Sequence, residues 1–585
     1  MPKTGAWETL PMPLTGPMDS RSRPADLGPG VLRFKLNMAV NSSGKLSRRA
    51  GFSALSFGSR SDNPELQTNW DHHRQGATRE PITLLSEITS PDNLRYLFDG
   101  TSKRVSWLDN GTSGWHDIIT DGAADSRWKI ASLRDKVVLV NGVDPPRVHT
   151  LGDTAPAAVL DLSGAESANG NIVVSYQNVI VMFSGNLVQW SDFRDASRWN
   201  LAPVVPDSTI AGFQYLDDGE QILNTAELGG VLYIFTDRAI WRMFPNVTAT
   251  SIFGFHRWYG EPTNRTACLA YENALVATGK EFFWFGRTSV YWMNQFSSAP
   301  ISPDWLLRAS GLVFEGSTAL DPAFCESPVG GFVPDAAGSS KEVWFSYPRL
   351  GSVLGVNDYS IVLSFNTDST VSPYTTADYV DAGFTAFTNF SRTTEAGVTC
   401  STNPVFIGAF GEDYTLKSIG GVFRRDIVTL VGDDVTVDIP DNAYAVTARG
   451  YSSQLMLMCP FPLEHREKIL RVLRIAHDTI AQDVPNLFRL RIGGSYMLAD
   501  PLSTQPNCGV LWHVIDDLPA ACPDVEPLAD LADKGLRQDD ATEFQMNEQA
   551  RLLYADLKIV APDGTAPIGT DTAFSNISFE YLLLP

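Results

Sequence analysis

The chain has 585 residues, length for about two to four domains, or fewer if one is a large all-β unit. With 43% hydrophobic and 19% charged residues, its composition is that of a globular protein and excludes a mainly disordered chain. The 67 acidic against 45 basic side chains, a formal net charge of -22, exclude wrapping of nucleic acid driven by phosphate neutralisation.

The first segment, Met1 to Trp7, lacks the continuous apolar stretch of a signal peptide, and no run approaches the length of a membrane-spanning helix, so the reading is a soluble chain made in the cytoplasm. Residues 1 to 60 carry nine basic side chains (Lys3, Arg21, Arg23, Arg33, Lys35, Lys45, Arg48, Arg49 and Arg60) against Glu8, Asp19 and Asp26, a local charge of +6. The remainder then holds 36 basic and 64 acidic residues, or -28. Such a segment is attracted to the rest of its own chain, to a neighbouring copy or to another acidic partner, and residues 1-75 are read as a docking segment.

From about residue 80 an irregular repeat begins. A polar or Gly turn is followed by four or five apolar residues, a second turn and a short run that often ends in Trp. The copies are Leu94–Phe98 with Trp107, Val137–Val140 with Pro146–Val148 and no Trp, Val179–Phe183 with Trp190, Val231–Phe235 with Trp241, and Phe282–Phe285 with Trp292. Offsets from first apolar residue to Trp are 13, 11, 10 and 10, and the copies start 42 to 52 residues apart. Short β-branched and aromatic runs joined by Asn-Gly, Asp-Gly or Ser-Gly are hairpins, because these residues tolerate the positive φ of tight turns. The period is that of a four-stranded propeller blade. Lys341–Phe345 with Ser360–Phe365 supplies a further blade. A β-sandwich also yields regular short strands; the period favours a propeller over 76-420, with room for insertions.

Beyond Gly450 the runs lengthen: Leu455–Met458, Phe488–Ile492, Val510–Trp512, Leu552–Val560 and Ser575–Leu584. Alternation of Phe488, Leu490 and Ile492 indicates a sheet with one solvated face. Lys468–Ile475 fits a helix period as well as a buried strand, and is read as a strand. The expected fold is therefore all-β, a β-propeller core with additional β-sandwich-like domains. Residues 421-585 form a C-terminal β-rich domain in which 516-548, with ten acids against Lys534 and Arg537, is an exposed acidic insertion.

Few motifs carry chemistry. There is no phosphate-binding Gly-x-x-x-x-Gly-Lys-Ser/Thr, no Gly-x-Ser-x-Gly and no His-Glu-x-x-His. Adjacent His72 and His73 alternate faces in a strand and do not converge on a metal. The six cysteines lie far apart without a Cys-x-x-Cys pair and read as free thiols. Asp217-Asp218-Gly219-Glu220 hints at calcium but lacks the spaced ligands of such a loop, and a turn is the better reading. Asp109 to Trp115 resembles the Asp-box turn of sialidase-type propellers, which is structural. Glycoside hydrolysis needs two carboxylates at a defined separation, and 67 acids nominate no pair. The recurrent Trp argues for packing between hairpins over ligand capture. No residue is nominated as catalytic, cofactor-binding or metal-ligating, and no cofactor is expected.

Four groups of residues nonetheless occur in a telling order. They are Pro13 to Asp19 with Leu27–Leu32, Leu36-Asn37-Met38 and Gly44–Phe52; Asn141 to Pro146; Trp190 to Trp199; and Leu228 to Trp241. Together, over roughly residues 12 to 300, they resemble the structural tail proteins of short-tailed bacteriophages: the tail nozzle, or tail tubular protein B, and the related packaged-DNA-stabilisation tail hub. The resemblance implies a non-enzymatic virion component, a propeller with added β-domains assembled as a homohexameric ring below portal and adaptor. It further implies contacts with tail fibres or a tip protein, and double-stranded DNA held and then ejected through the channel without specific binding. A net-acidic wall fits a conduit that must not hold DNA. Arg48 and Arg49 are the candidate interface residues for clamping onto an acidic neighbour. The rival expectation is a glycan-binding or glycan-degrading propeller of a phage tail; a monomeric interaction scaffold is a third.

Overall fold

The computed structural model describes most of residues 80–300, five strands between residues 7 and 54, and the strands and some connecting residues from 320 to 583. All regular structure among the described residues is β.

Five strands precede the repeat: β1 (Trp7–Pro13), β2 (Leu32–Leu36), β3 (Met38–Val40), β4 (Leu46–Arg48) and β5 (Phe52–Ala54). Five consecutive four-stranded antiparallel meanders follow. Blade 1 is β6 (Leu84–Thr89), β7 (Arg95–Gly100), β8 (Val105–Leu108) and β9 (Trp115–Ile119). Blade 2 is β10 (Lys129–Leu133), β11 (Lys136–Val140), β12 (Arg147–Thr150) and β13 (Ala158–Val159). Blade 3 is β14 (Ile172–Tyr176), β15 (Val179–Ser184), β16 (Leu187–Trp190) and β17 (Gly212–Tyr215). Blade 4 is β18 (Ile222–Leu228), β19 (Val231–Thr236), β20 (Ile240–Pro245) and β21 (Phe253–Tyr259). Blade 5 is β22 (Leu275–Ala277), β23 (Phe282–Phe285), β24 (Val290–Met293) and β25 (Ser298–Pro300).

The next meander, β26 (Val329–Ala336), β27 (Ser340–Tyr347), β28 (Tyr359–Phe365) and β29 (Thr376–Val380), takes the sixth place in the ring. The ring closes with β30 (Phe384–Phe390), β31 (Val405–Phe410) and β32 (Leu416–Ile419), whose fourth strand is β5, brought from the N-terminal segment. Six separate four-stranded blades thus surround the axis with the β26–β29 meander set between the fifth and the last. The first strand of each meander lies against the first strand of its neighbours, from β6 round to β30 and back to β6, so these strands line the axis.

The remaining strands are β33 (Ser453–Cys459), β34 (Lys468–Thr479), β35 (Leu487–Ser495), β36 (Val510–Ile515), β37 (Ala541–Ala550), β38 (Leu552–Val560) and β39 (Thr572–Leu583). They build two added sheets. One continues the sixth meander outward in the order β29-β2-β33-β38-β35-β36; β2 runs parallel to β29 and antiparallel to β33. The other follows β3-β4-β39-β34-β37, with β1 also on β39. The two meet where β3 nears β33 and β35 nears β37, the sandwich-like element expected from the longer C-terminal runs.

The apolar runs that define the repeat are the second strands of the blades, β7, β11, β15, β19 and β23, and the Trp runs are the third strands. Both faces of a blade pack on neighbours, which explains unbroken apolar runs such as Val179–Phe183, every residue of which is buried. Alternate residues divide between two interfaces: Val179, Val181 and Phe183 meet Leu232 and Ile234 of blade 4, while Ile180 and Met182 meet Val138 and Val140 of blade 2. Tight turns join the inner hairpins; Gly229 and Gly230 at φ 60° and 79° form the link between β18 and β19, a backbone shape in which a Cβ is strained. The last blade docks on the first through Thr385, whose hydroxyl donates to the Ile82 carbonyl at 2.5 Å.

The read of Lys468–Ile475 as a strand agrees with β34. The acidic segment 516-548 divides: 516–540 lies outside the described residues, whereas 541–548 belongs to β37, paired with β34. Its acids Glu543 and Glu548 stand in register with Arg474 and Leu470, so this end is a sheet strand, made possible by apolar Phe544 and Met546 between polar neighbours.

Candidate functional site

The axis of a propeller is where its inner strands bring side chains from different blades together. Here one mouth is crossed by an ion pair. Lys129 opens the inner strand of blade 2 and Glu272 immediately precedes that of blade 5; their Nζ and Oε1 atoms are 2.5 Å apart. Blades 2 and 5 stand on opposite sides of the ring, so the pair spans the axis. Asn224, from the inner strand of blade 4, donates its side-chain amide to the Glu272 carbonyl at 2.7 Å and holds that loop in place. Burial pushes the Lys129 ammonium below the usual lysine range, and the Glu272 carboxylate opposes the shift. The Lys129 side chain is 17% exposed and that of Glu272 37%, so the pair lies at the mouth with one partner wetter than the other. The arrangement braces the ring; its cation and its carboxylate are engaged with each other.

Among the described residues the buried carboxylates elsewhere lie in separate blades: Asp99 in β7, Glu220 before β18 and Glu342 in β27. Glu220 accepts hydrogen bonds from Trp241 Nε1 at 2.8 Å and Thr236 Oγ1 at 2.9 Å, and pairs with Arg257 at 3.0 Å. Glu342 accepts from Trp344 Nε1 at 3.0 Å. Among the described residues no group of His, Cys, Asp and Glu is placed to hold a metal ion. Around Asp217 and Gly219 the chain makes the turn expected there, with Gly219 at φ 76° and Glu220 N–H donating to the Asp217 carbonyl.

The residues behind the family resemblance form hubs at blade ends. Asn141 Oδ1 accepts from the backbone of Val143 and Asp144, and its amide donates to Asp144 Oδ2 at 2.7 Å and Ser126 Oγ at 3.0 Å. In the Trp190 to Trp199 stretch, Asp192 Oδ1 accepts from Phe193 and Ile210 backbone groups, Oδ2 pairs with Arg198 at 3.3 Å, and Trp199 donates to the Ala196 carbonyl. Beside Gly229-Gly230, Tyr176 donates to the Gly230 carbonyl at 2.7 Å, and burial raises its phenol to about 12. These polar residues fix turns through their side-chain hydrogen bonds to backbone groups.

Two of the recurrent Trp side chains, Trp107 and Trp190, are buried, in accord with packing between hairpins. Cys268 is buried and in no disulfide among the described residues. Arg48 ends β4, opposite Met38, within the chain's own six-stranded sheet; Arg49, His72, His73 and 109–114 of the Asp-box-like stretch lie outside the described residues. The pairing of Lys129 with Glu272 had no local signal, because 143 residues separate them.

The strand order defines the chain as a β-propeller protein with two added sheets. No family model matches it and no curated protein matches it. Solved structures similar to it include YCF48 bound to D1 peptide, at 10% identity and TM-score 0.35, covering 61% of this chain and 95% of that one. The Pan2 WD40 domain of Neurospora crassa has 11% identity and TM-score 0.34, with 64% and 95% covered. The extracellular domain of the putative hybrid two-component system BT4673 of B. thetaiotaomicron has 11% identity and TM-score 0.29, with 67% and 52% covered.

Proposed function

We propose that this chain is a non-enzymatic structural component of a short-tailed phage virion, of the tail nozzle class, which assembles as a ring below portal and adaptor, docks fibres or a tip protein and conducts genomic DNA. The observation that carries the reading is the use of the N-terminal segment. Its strands join β39 in one added sheet, bridge β29 to β33 in the other and complete the last blade through β5. Three parts of the molecule are thereby fastened by one stretch of chain, as suits a component that bears load during ejection. The collinear resemblance over residues 12 to 300 and the net charge of -22 support the same reading, since an acidic wall does not gain counterion release from DNA. With Lys129 and Glu272 across the axis, a conduit for DNA lies between copies and not through the blade ring.

Native mass spectrometry with negative-stain imaging tests this. A closed ring, alone or on addition of adaptor, is expected; a chain that stays monomeric with portal and adaptor present overturns it.

A second reading, glycan binding or degradation at the cell surface, draws on Phe213 and Tyr215 of β17. Both are exposed, with ring centroids 5.8 Å apart, and the Tyr215 hydroxyl donates to Glu166 at 2.8 Å. Exposed aromatics beside a carboxylate suit sugar stacking. A glycan array and a reducing-sugar assay separate the readings, and binding lost on Tyr215→Ala favours the second.

A further inference from the structure

In a chain with 67 acids, a half-buried arginine ordinarily finds a carboxylate. Arg95 pairs with Glu87, Arg147 with Asp121, Arg238 with Asp237, Arg257 with Glu220 and Arg349 with Asp358. Arg242 of β20 does not. Its guanidinium lies 4.4 Å from the ring centroid of Trp258 and 5.6 Å from that of Tyr233. Its Nε atom is buried without a hydrogen-bond partner, as are those of Arg147, Arg238 and Arg257, but those three each have an ion pair and Arg242 has none among the described residues. Registers put Tyr233, Arg242 and His256 side by side on three adjacent strands of blade 4, so all three share one face. His256 is exposed at the outer strand β21, and Trp258 packs edge-on to Tyr233 at 5.9 Å. The two rings therefore hold a planar cation in place while leaving its donors unspent, beside an imidazole that offers a further donor.

A buried guanidinium nitrogen without an acceptor is costly, and among the described residues no carboxylate pairs with Arg242. We propose that Arg242 and His256 form a surface site for a small oxyanion, a carboxylate or a phosphate. The planar fork of arginine matches both groups in bidentate fashion, and stacking on Trp258 and Tyr233 sets the orientation of the fork before the ligand arrives. This site is independent of the nozzle reading.

Equilibrium dialysis of the full chain with radiolabelled inorganic phosphate tests it, with glutarate as the competing carboxylate. The intact chain binds phosphate; Arg242→Met weakens binding by about tenfold or more, the loss expected for a charge-assisted hydrogen bond. Arg242→Lys, which keeps charge but not the fork, falls between the two. Arg104→Met, at an exposed arginine of blade 1, leaves binding unchanged. Displacement by glutarate assigns the site to oxyanions in general, and failure to displace narrows it to phosphate. Should Arg242→Met not fold, His256→Gln at its exposed position decides, with affinity reduced by about threefold. An intact chain that binds neither anion, or an Arg242→Met or His256→Gln chain that folds and binds phosphate as the intact chain does, overturns the proposal.

Discussion

Blades 1 to 5 and the two last places of the ring are built in different ways. Each of the first five is a meander of four strands consecutive in the chain, finished before the next begins. The sixth meander continues outward through β2 into four further strands, and the last blade lacks a fourth strand until β5 supplies it from more than 300 residues earlier. Local blades gain their pairing at low loop-closure cost, whereas the last places depend on distant segments meeting. The ring is thus self-sufficient along most of its circumference and conditional where it closes.

The largest way to break this contrast is deletion of residues 1–54, which removes β5 together with the strands that join both added sheets. Proteolytic cutting between 384 and 419 should rise sharply while blades 1 to 5 stay protected; an unchanged cleavage pattern would show that β5 is dispensable for closure. Next comes the Arg48→Glu, Arg49→Glu double substitution, expected to abolish ring assembly as read by native mass spectrometry. Normal rings from that variant would sink the role given to these residues.

Within the self-sufficient part, Trp284→Ala removes a fully buried ring of blade 5 that stacks on Tyr291 at 5.7 Å and meets Phe235 of blade 4 at 5.5 Å. The expected loss is about 3–5 kcal/mol in chemical denaturation. Glu272→Gln, which leaves Lys129 without its carboxylate across the axis, should cost less, about 1–2 kcal/mol, because Glu272 is partly in water. A Lys129→Met, Glu272→Leu pair should recover most of that loss, and a double substitution as harmful as the single one would refute the idea of a brace.

The smallest effect is a pH dependence in blade 2. His149 is buried, and burial holds its imidazole below the ordinary value of 6.5, opposed by Asp153 and reinforced by Lys136. The folded chain then takes up the proton less readily than the unfolded chain. Its contribution is complete above pH 6.5 and is lost as pH falls from there toward the depressed folded value. Melting curves of His149→Leu should therefore decline less on acidification through this window than those of the intact chain.

The amino-acid sequence by itself determined the blades: apolar runs at 94, 137, 179, 231 and 282 became second strands, and the paired runs at 341 and 360 became β27 and β28. The longer C-terminal runs at 455, 468, 488, 510, 552 and 575 were equally legible as strands. Such elements announce themselves because period, β-branching and turn residues act over a few neighbours. Only the tertiary structure decided how the ring closes, that Phe52–Ala54 belongs to the last blade and that Lys129 meets Glu272 across the axis. It also decided that Arg242 lies on two aromatic rings without a carboxylate, whereas Arg257 on the neighbouring strand has one. Cross-strand register and the opposition of distant blades set these partners, and neither leaves a mark in local sequence, since any lysine or arginine fits the same polar position in a strand.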